Sequence, residues 1–420
     1  MPDERYEGGS APQRIEWVTE TDGEGTPPDD PDWNLYSNNV VTPWDLEPDA
    51  QVEPLRGMGD GFPSTHFNGP ETHDATFEYS MQQWFITSAG ETLDPAYDGM
   101  VYAADNSIRA THTVVSREEH ADGGADGAGR RIYTVGKGGH PGVSTLPFET
   151  EDGTPINISL EYQFEKVRKY SVSQPSASTE LVVRSTDSGD TTQTVTIENE
   201  GASTTEDVTL DGTTLVSTSS TFGDIDAIET DAETVGDIVV AINSGTASSP
   251  TEGTELARIP GADSYPDFYE GDLGVPALGT GSHATALTDP YIYFNGSTLD
   301  YDGTAIAPEL QSGEIAVDLG LDANSRVASQ RMNVHVGEGE VTVSASVAGP
   351  NISDEQFARH LQGVEDDIVW TAEQGGATVG TLRVTDAHNT TPGSDSKESG
   401  SAKLFMDSEW SGTGVEVTVA

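Results

Sequence analysis

The chain has 420 residues, no cysteine, and 72 Asp and Glu against 19 Lys and Arg, a formal net charge of −53. That balance excludes gripping nucleic acid, which takes clustered Lys and Arg to displace counterions. The missing cysteine excludes a disulfide scaffold, a zinc ribbon and a thiol nucleophile.

Only five lysines occur (Lys137, Lys166, Lys169, Lys397 and Lys403), so the acidity reads as the solvated surface of a halophile's protein. The Debye length falls from about 10 Å at 0.1 M salt to about 3 Å at 1 M, which quenches the summed repulsion of so many like charges. The start "MPDERYEGGSAPQR" has no apolar signal core and no twin arginine, and nowhere does an apolar run approach about 18 residues. The expectation is a protein made in the cytoplasm, without membrane contact, that stays there or leaves inside a larger particle.

In chain order, residues 1–33 are rich in Gly, Pro and Asp around one strand-like piece, "RIEWV", and read as an N-terminal arm. Residues 34–170 read as a first β domain, with strands at "ATFEYSM", "SIRATHTVV", "RIYTV" and "INISLEYQF". The last alternates cleanly, placing Ile156, Ile158, Leu160, Tyr162 and Phe164 on one face. The stretch "ETLDPAYDGMVYAADN" (91–106) reads as a poor helix.

Residues 171–285 change character. Aromatics and cations thin out, Ser and Thr abound, and Val195/Ile197, Val208/Leu210 and Ile238/Val240/Ile242 alternate between turn signals. This predicts an inserted immunoglobulin-like β-sandwich. The first composition returns over 286–420, where "SDEQFARHLQGV" (353–364) predicts a helix opened by the capping box Ser353/Gln356. Strands are expected at 368–372, 381–386, 403–410 and 415–419, and "HNTTPGSDSKESGS" (388–401) reads as a loop. "DLEPDA" at 45 is echoed by "DLGLDA" at 318, with Asp45, Leu46, Asp49 and Ala50 falling on Asp318, Leu319, Asp322 and Ala323. With the parallel order of elements, the echo predicts a duplicated β-rich block interrupted by the insert.

No catalytic constellation appears. The histidines lack metal-ligand spacing, no nucleophile elbow or phosphate loop is present, and "GKGGHPG" follows no βαβ pattern. The expectation is a protein that is not an enzyme and holds no cofactor or metal.

The stretch "RIEWVTETDGEGTPPDDPDWNLYSNNVVTPWDLEPDAQVEPLRGMGD", continuing through "FNGPETHDATFEYSMQQW", resembles the tail tube (major tail) proteins of tailed viruses, here of a haloarchaeal one. The insert from "STELVVRSTDSGD" onward resembles β-sandwich modules that decorate viral tails and capsids. The resemblance implies a mainly β fold: two tandem tail-tube β-barrel or sandwich domains, each with a flanking helix, plus the insert. It implies a virion protein, assembled in the host cytoplasm, whose rings stack head-to-tail into a hollow tube. Viral DNA would pass the lumen without specific binding, and other tail proteins would meet the tube ends. Rings of this family hold six tube domains, so two per chain give a homo-trimer with pseudo-six-fold symmetry. Candidate inter-ring contacts are Ile15 and Trp17 in the arm and Arg56, Met58, Phe62 and Phe67 in the following loop. Lys166, Arg168 and Lys169 are candidates for pairing with a neighbour's acidic residues, or else form local salt bridges. A capsid decoration protein or a cell-surface adhesion protein is the alternative.

Overall fold

The computed structural model describes residues 13–20, 28, 32–36, 40–42, 49–55, 65–105, 111–120, 129–149, 155–200, 203–262, 274–275, 278, 290–294, 298–301, 304–305, 310–318, 320–325, 332–336, 340–348, 361–397 and 404–420. Strand outweighs helix, 63% to 4%, so the fold is mainly β. The first part holds β1 (Gln13–Thr19), β2 (Asn34–Leu35), β3 (Val40–Thr42), β4 (Asp49–Leu55), β5 (Thr65–Thr72), β6 (Asp74–Ser80), α1 (Ala96–Asp105), β7 (His112–His120), β8 (Arg130–Glu149), β9 (Asn157–Gln163) and β10 (Lys166–Ser173). The middle holds β11 (Leu181–Ser185), β12 (Thr194–Asn199), β13 (Thr205–Thr209), β14 (Val216–Ser217), β15 (Ile225–Thr230), β16 (Ile238–Asn243), β17 (Glu252–Ile259) and β18 (Gly274–Val275). The last part holds β19 (Thr298–Tyr301), β20 (Thr304–Ala305), β21 (Leu310–Asp318), β22 (Leu321–Ser325), β23 (Met332–Val336), β24 (Glu340–Ala348), β25 (Glu365–Gln374), β26 (Ala377–Lys397), β27 (Leu404–Gly412) and β28 (Gly414–Val419).

The pairing of the first part recurs, strand for strand, in the last. β1 joins β2 and β7 as β19 joins β20 and β25. β8 takes β7, β10 and β9 as β26 takes β25, β28 and β27. β6 joins β3 and β9 as β24 joins β21 and β27, and the hairpin β4–β5 has its counterpart in β22–β23. Even irregularities recur: a register shift between Val40 and Thr42 matches one between Leu310 and Ser312. The echoed Asp49–Ala50 and Asp322–Ala323 lie in the equivalent strands β4 and β22.

Two long strands organise each repeat. The first half of β8 runs between β7 and β10, and its second half continues beside β9; β26 does the same with β25 and β28, then β27. His140 and His388 are the first residues of each to pair with the new neighbour, opposite Gln163 and Ser411. Glycine permits the turn. A Cβ on Gly139 would sit 2.4 Å from the Phe164 ring, so "GKGGHPG" serves a close backbone approach.

Each repeat thus offers two sheet layers over one apolar interior. Tyr79, Ile158, Leu160, Leu146 and Phe148 from the first repeat share a cluster with Ile315, Val343, Trp370, Leu382 and Val415 from the second. Among the described residues the sheets stay open, and none closes into a barrel. Layered sheets bury the same inward-facing alternation without closure.

The middle part forms two four-stranded antiparallel sheets, β14-β11-β16-β17 and β13-β12-β15-β18. Val195, Ile197, Val208, Leu210, Ile238 and Val240 point into a common core, and Ile242 packs against it half-buried. That core continues into the outer face of the first repeat through Val115, Tyr133, Val135, Tyr170 and Val172.

Three sequence readings change. "RIEWV" is an integral strand: β1 has a partner on each side, because its alternation buries Ile15 and Trp17. The poor helix at 91–106 contains α1, since Asp94 Oδ1 accepts the Ala96 N–H (2.9 Å) as an N-cap and Pro95 stands where no donor is needed. Ala96 and Met100 are fully buried, and Gly99 lets α1 approach β8 until a Cβ would lie 2.5 Å from Ser144 Oγ. The loop predicted from 388 is strand to Lys397, because pairing with β27 overrides weak local β preference. Of the helix predicted at 353–364, Leu361 and Gln362 are helical; residues 353–360 lie outside the described residues.

Candidate functional site: an acidic sheet face and two open edges

Eight strands form one continuous ribbon in the order β3-β6-β9-β8-β21-β24-β27-β26, the same four-strand unit twice. Period-two alternation assigns its faces. Ala75, Tyr79, Ile158, Leu160, Leu146, Ile315, Val317, Val341, Val343 and Trp410 are buried beneath it. The opposite face carries Asp74, Glu78, Glu161, Glu314, Asp318, Glu340 and Glu409 among Thr and Ser, exposed or half-buried. Among the described side chains of this face there is no lysine or arginine. A shallow cavity of about 360 Å³ opens on it between Asp74, Thr76, Glu161 and Asp318. Burial raises the Asp74 carboxyl above its usual range.

Among the described residues, each end of the ribbon is paired on one side only: β3 with β6, and the second half of β26 with β27. Unpaired N–H and C=O groups along a strand are a template for another strand.

The far side of the first repeat is occupied by the insert. Arg117 Nη1 donates to Asp226 Oδ1 (2.6 Å), Arg131 Nη1 to the Ile225 carbonyl (2.8 Å) and Tyr133 Oη to the Asp226 carbonyl (2.7 Å). Arg131 also meets Glu200 and Asp224, both at 2.9 Å. Burial would lower both guanidinium pKa values, yet Asp226 and Tyr133 beside Arg117, and Tyr133, Asp224 and Asp226 beside Arg131, outweigh it and hold them above the usual range. Sequence reading missed this junction. Its signal was two arginines on adjacent strands of a cation-poor chain.

Inside the first repeat runs a buried polar chain. Tyr79 Oη donates to Asp94 Oδ1 (2.5 Å), and His112 bridges Tyr162 Oη and Asp98 Oδ2, each at 2.7 Å. Burial pushes Asp94 up to about 7. His73 is lowered to about 4, first by burial and then by Arg168.

The predicted contact residues fall in different places. Ile15 and Trp17 are buried in the chain's own core. Phe67 lies in β5 opposite Glu53, and Arg56, Met58 and Phe62 lie outside the described residues. Lys166 and Arg168 share one face of β10, where Lys166 is buried opposite Lys137 and Arg168 is half-buried opposite Val135. Lys169 is exposed on the other face.

No family model matches the chain, and no curated protein matches it. Among solved structures, a chain from "Cryo-EM structure of the anti-feeding prophage (AFP) baseplate, 6-fold symmetrised" is similar at 9% identity and a TM-score of 0.28, over 39% of this chain and 96% of that one.

Proposed function

We propose that this chain is a structural virion protein whose rings stack into a hollow tail tube, with three chains and six repeats to a ring. The observation that carries this reading is, among the described residues, the four-strand unit repeated along one ribbon, which ends in two open edges beneath an acidic face whose described side chains include no lysine or arginine. A ribbon that closes through copies of itself removes the edges that would otherwise invite aggregation. Its acidic face then lines a bore that repels phosphate, so DNA slides through instead of sticking. The insert lies on the opposite side of the first repeat and projects from the outer wall. In this reading the chain is not an enzyme and needs no cofactor. Other tail proteins would cap the tube, and the net charge of −53 suits a host cytoplasm rich in salt.

Electron microscopy of the purified protein in molar potassium chloride tests the reading. Hollow tubes with a regular axial repeat are expected; monomers at every salt and protein concentration would refute it.

A further inference from the structure

Among the described residues of the two repeats, one strand pairing has no counterpart. β8 joins β21 over seven residue pairs, from Glu149–Ser312 to Val143–Asp318, and so links the first four-strand unit to the second. Around this seam α1 of the first repeat packs against β28 of the second. Trp84 Nε1 donates to the Thr418 carbonyl (3.0 Å), Gln374 Nε2 donates to the Gln82 carbonyl (2.8 Å), and the Trp84 and Trp370 rings lie 5.5 Å apart.

Resting on the ring reading above, we infer that this internal seam is the template for the contact between chains. The second half of β26 stands where β8 stands, and β3 stands where β21 stands, so the open edge of β26 receives β3 from the next copy. The same repetition sets the helical residues Leu361 and Gln362, which precede β25 as α1 precedes β7, toward the neighbour's β10, as α1 lies on β28. Two features of the single chain fit that docking. Leu361 is 69% exposed, an unusual position for a large apolar side chain in so polar a protein. On β10, Lys169 (opposite Thr134) and Ser171 (opposite Ile132) hold the places of Val417 (opposite Leu382) and Val419 (opposite Gly380) on β28. The two valines pack against the core beside α1, whereas Lys169 and Ser171 are exposed. The partner is therefore a second copy in head-to-tail contact, each chain offering one surface and receiving on the other.

The native chain has no cysteine, which makes the test clean. Lys397 and Thr42 stand within one residue of the places that Glu149 and Ser312 hold in the internal seam. The double variant Thr42→Cys/Lys397→Cys, treated in molar salt with a short bis-maleimide, should give a covalent ladder that stops at three chains. Each single variant should stay uncrosslinked. Dimers from a single variant would reveal a two-fold contact and overturn the proposal. Absent crosslinks would overturn it too, and rings still visible by microscopy would leave the tube reading standing. A ladder that stops elsewhere or never stops would uphold the edge pairing and remove the three-chain ring. As a check away from the paired edges, Leu361→Glu, at a residue that the single chain leaves exposed, should raise the protein concentration needed for assembly severalfold. Unchanged assembly in Leu361→Glu would overturn the helix docking.

Discussion

The two repeats share a pairing scheme and differ in what their outer sheets face. Aligned at His140 and His388, the cross-strand pair Tyr133–Tyr170 of the first repeat stands at the level of Thr381–Thr418 in the second. Val135–Arg168 stands at the level of Arg383–Glu416. The first set is buried or half-buried and mostly apolar, and the insert covers it; the second is polar and open to solvent. One strand scheme thus supports opposite surfaces, because period-two alternation lets an outer face change without touching the inner one. The insert belongs to one repeat, and this asymmetry would give a six-module ring three-fold rather than six-fold symmetry.

The largest expected effect breaks the asymmetry outright. Replacing residues 176–289 with a short Gly/Ser linker should leave the protein insoluble, since Val115, Tyr133, Val135, Tyr170 and Val172 would face water together. Adding Tyr133→Thr, Tyr170→Thr, Val135→Arg and Arg168→Glu, which copies the second repeat's Thr381–Thr418 and Arg383–Glu416 pairs, should restore a soluble chain by gel filtration. Next, Asp226→Ala leaves Arg117 and Arg131 without their central buried partner and should cost about 3 kcal/mol in thermal or denaturant unfolding.

A subtler effect concerns pH, in two buried groups of the first repeat. Asp94 titrates near 7 in the fold against 3.8 as a free side chain, so its contribution is intact below 3.8 and is lost as pH rises towards 7. His73, at about 4 against 6.5, does the reverse: its contribution is present above 6.5 and is lost as pH falls towards 4. Asp94→Asn, which keeps a capping oxygen, should make stability rise more steeply from pH 4 to 7, and His73→Gln should make it rise less, both read from unfolding midpoints. The smallest effect is expected at the open face. Arg383 reaches Asp367 at 3.7 Å and Glu416 at 3.5 Å, all substantially exposed, so Arg383→Ser should change stability by under about 0.5 kcal/mol.

Much of the core was legible in the sequence. The alternation in "INISLEYQF" and in the insert strands marks residues that are buried in the fold, and the faint "DL…DA" echo points to a repetition that its pairings make explicit. The strand from His388 to Lys397 was not legible, because Gly, Ser, Asp and Pro form strand there only through a partner remote in sequence. α1 hid for a related reason: its cap is an Asp held by Tyr79, and its closest contact depends on a missing side chain at Gly99. The candidate surfaces were legible in charge but not in place. So many carboxylates occur that only the sheet decides which of them line one face.

The most direct test of the duplicated ribbon as a ring module is an averaged cross-section of tubes assembled in molar salt. The account predicts a wall of six equivalent modules bearing three outward protrusions, with a ring mass of three chains. Six equal protrusions around the wall, or a ring mass of six chains, would contradict it.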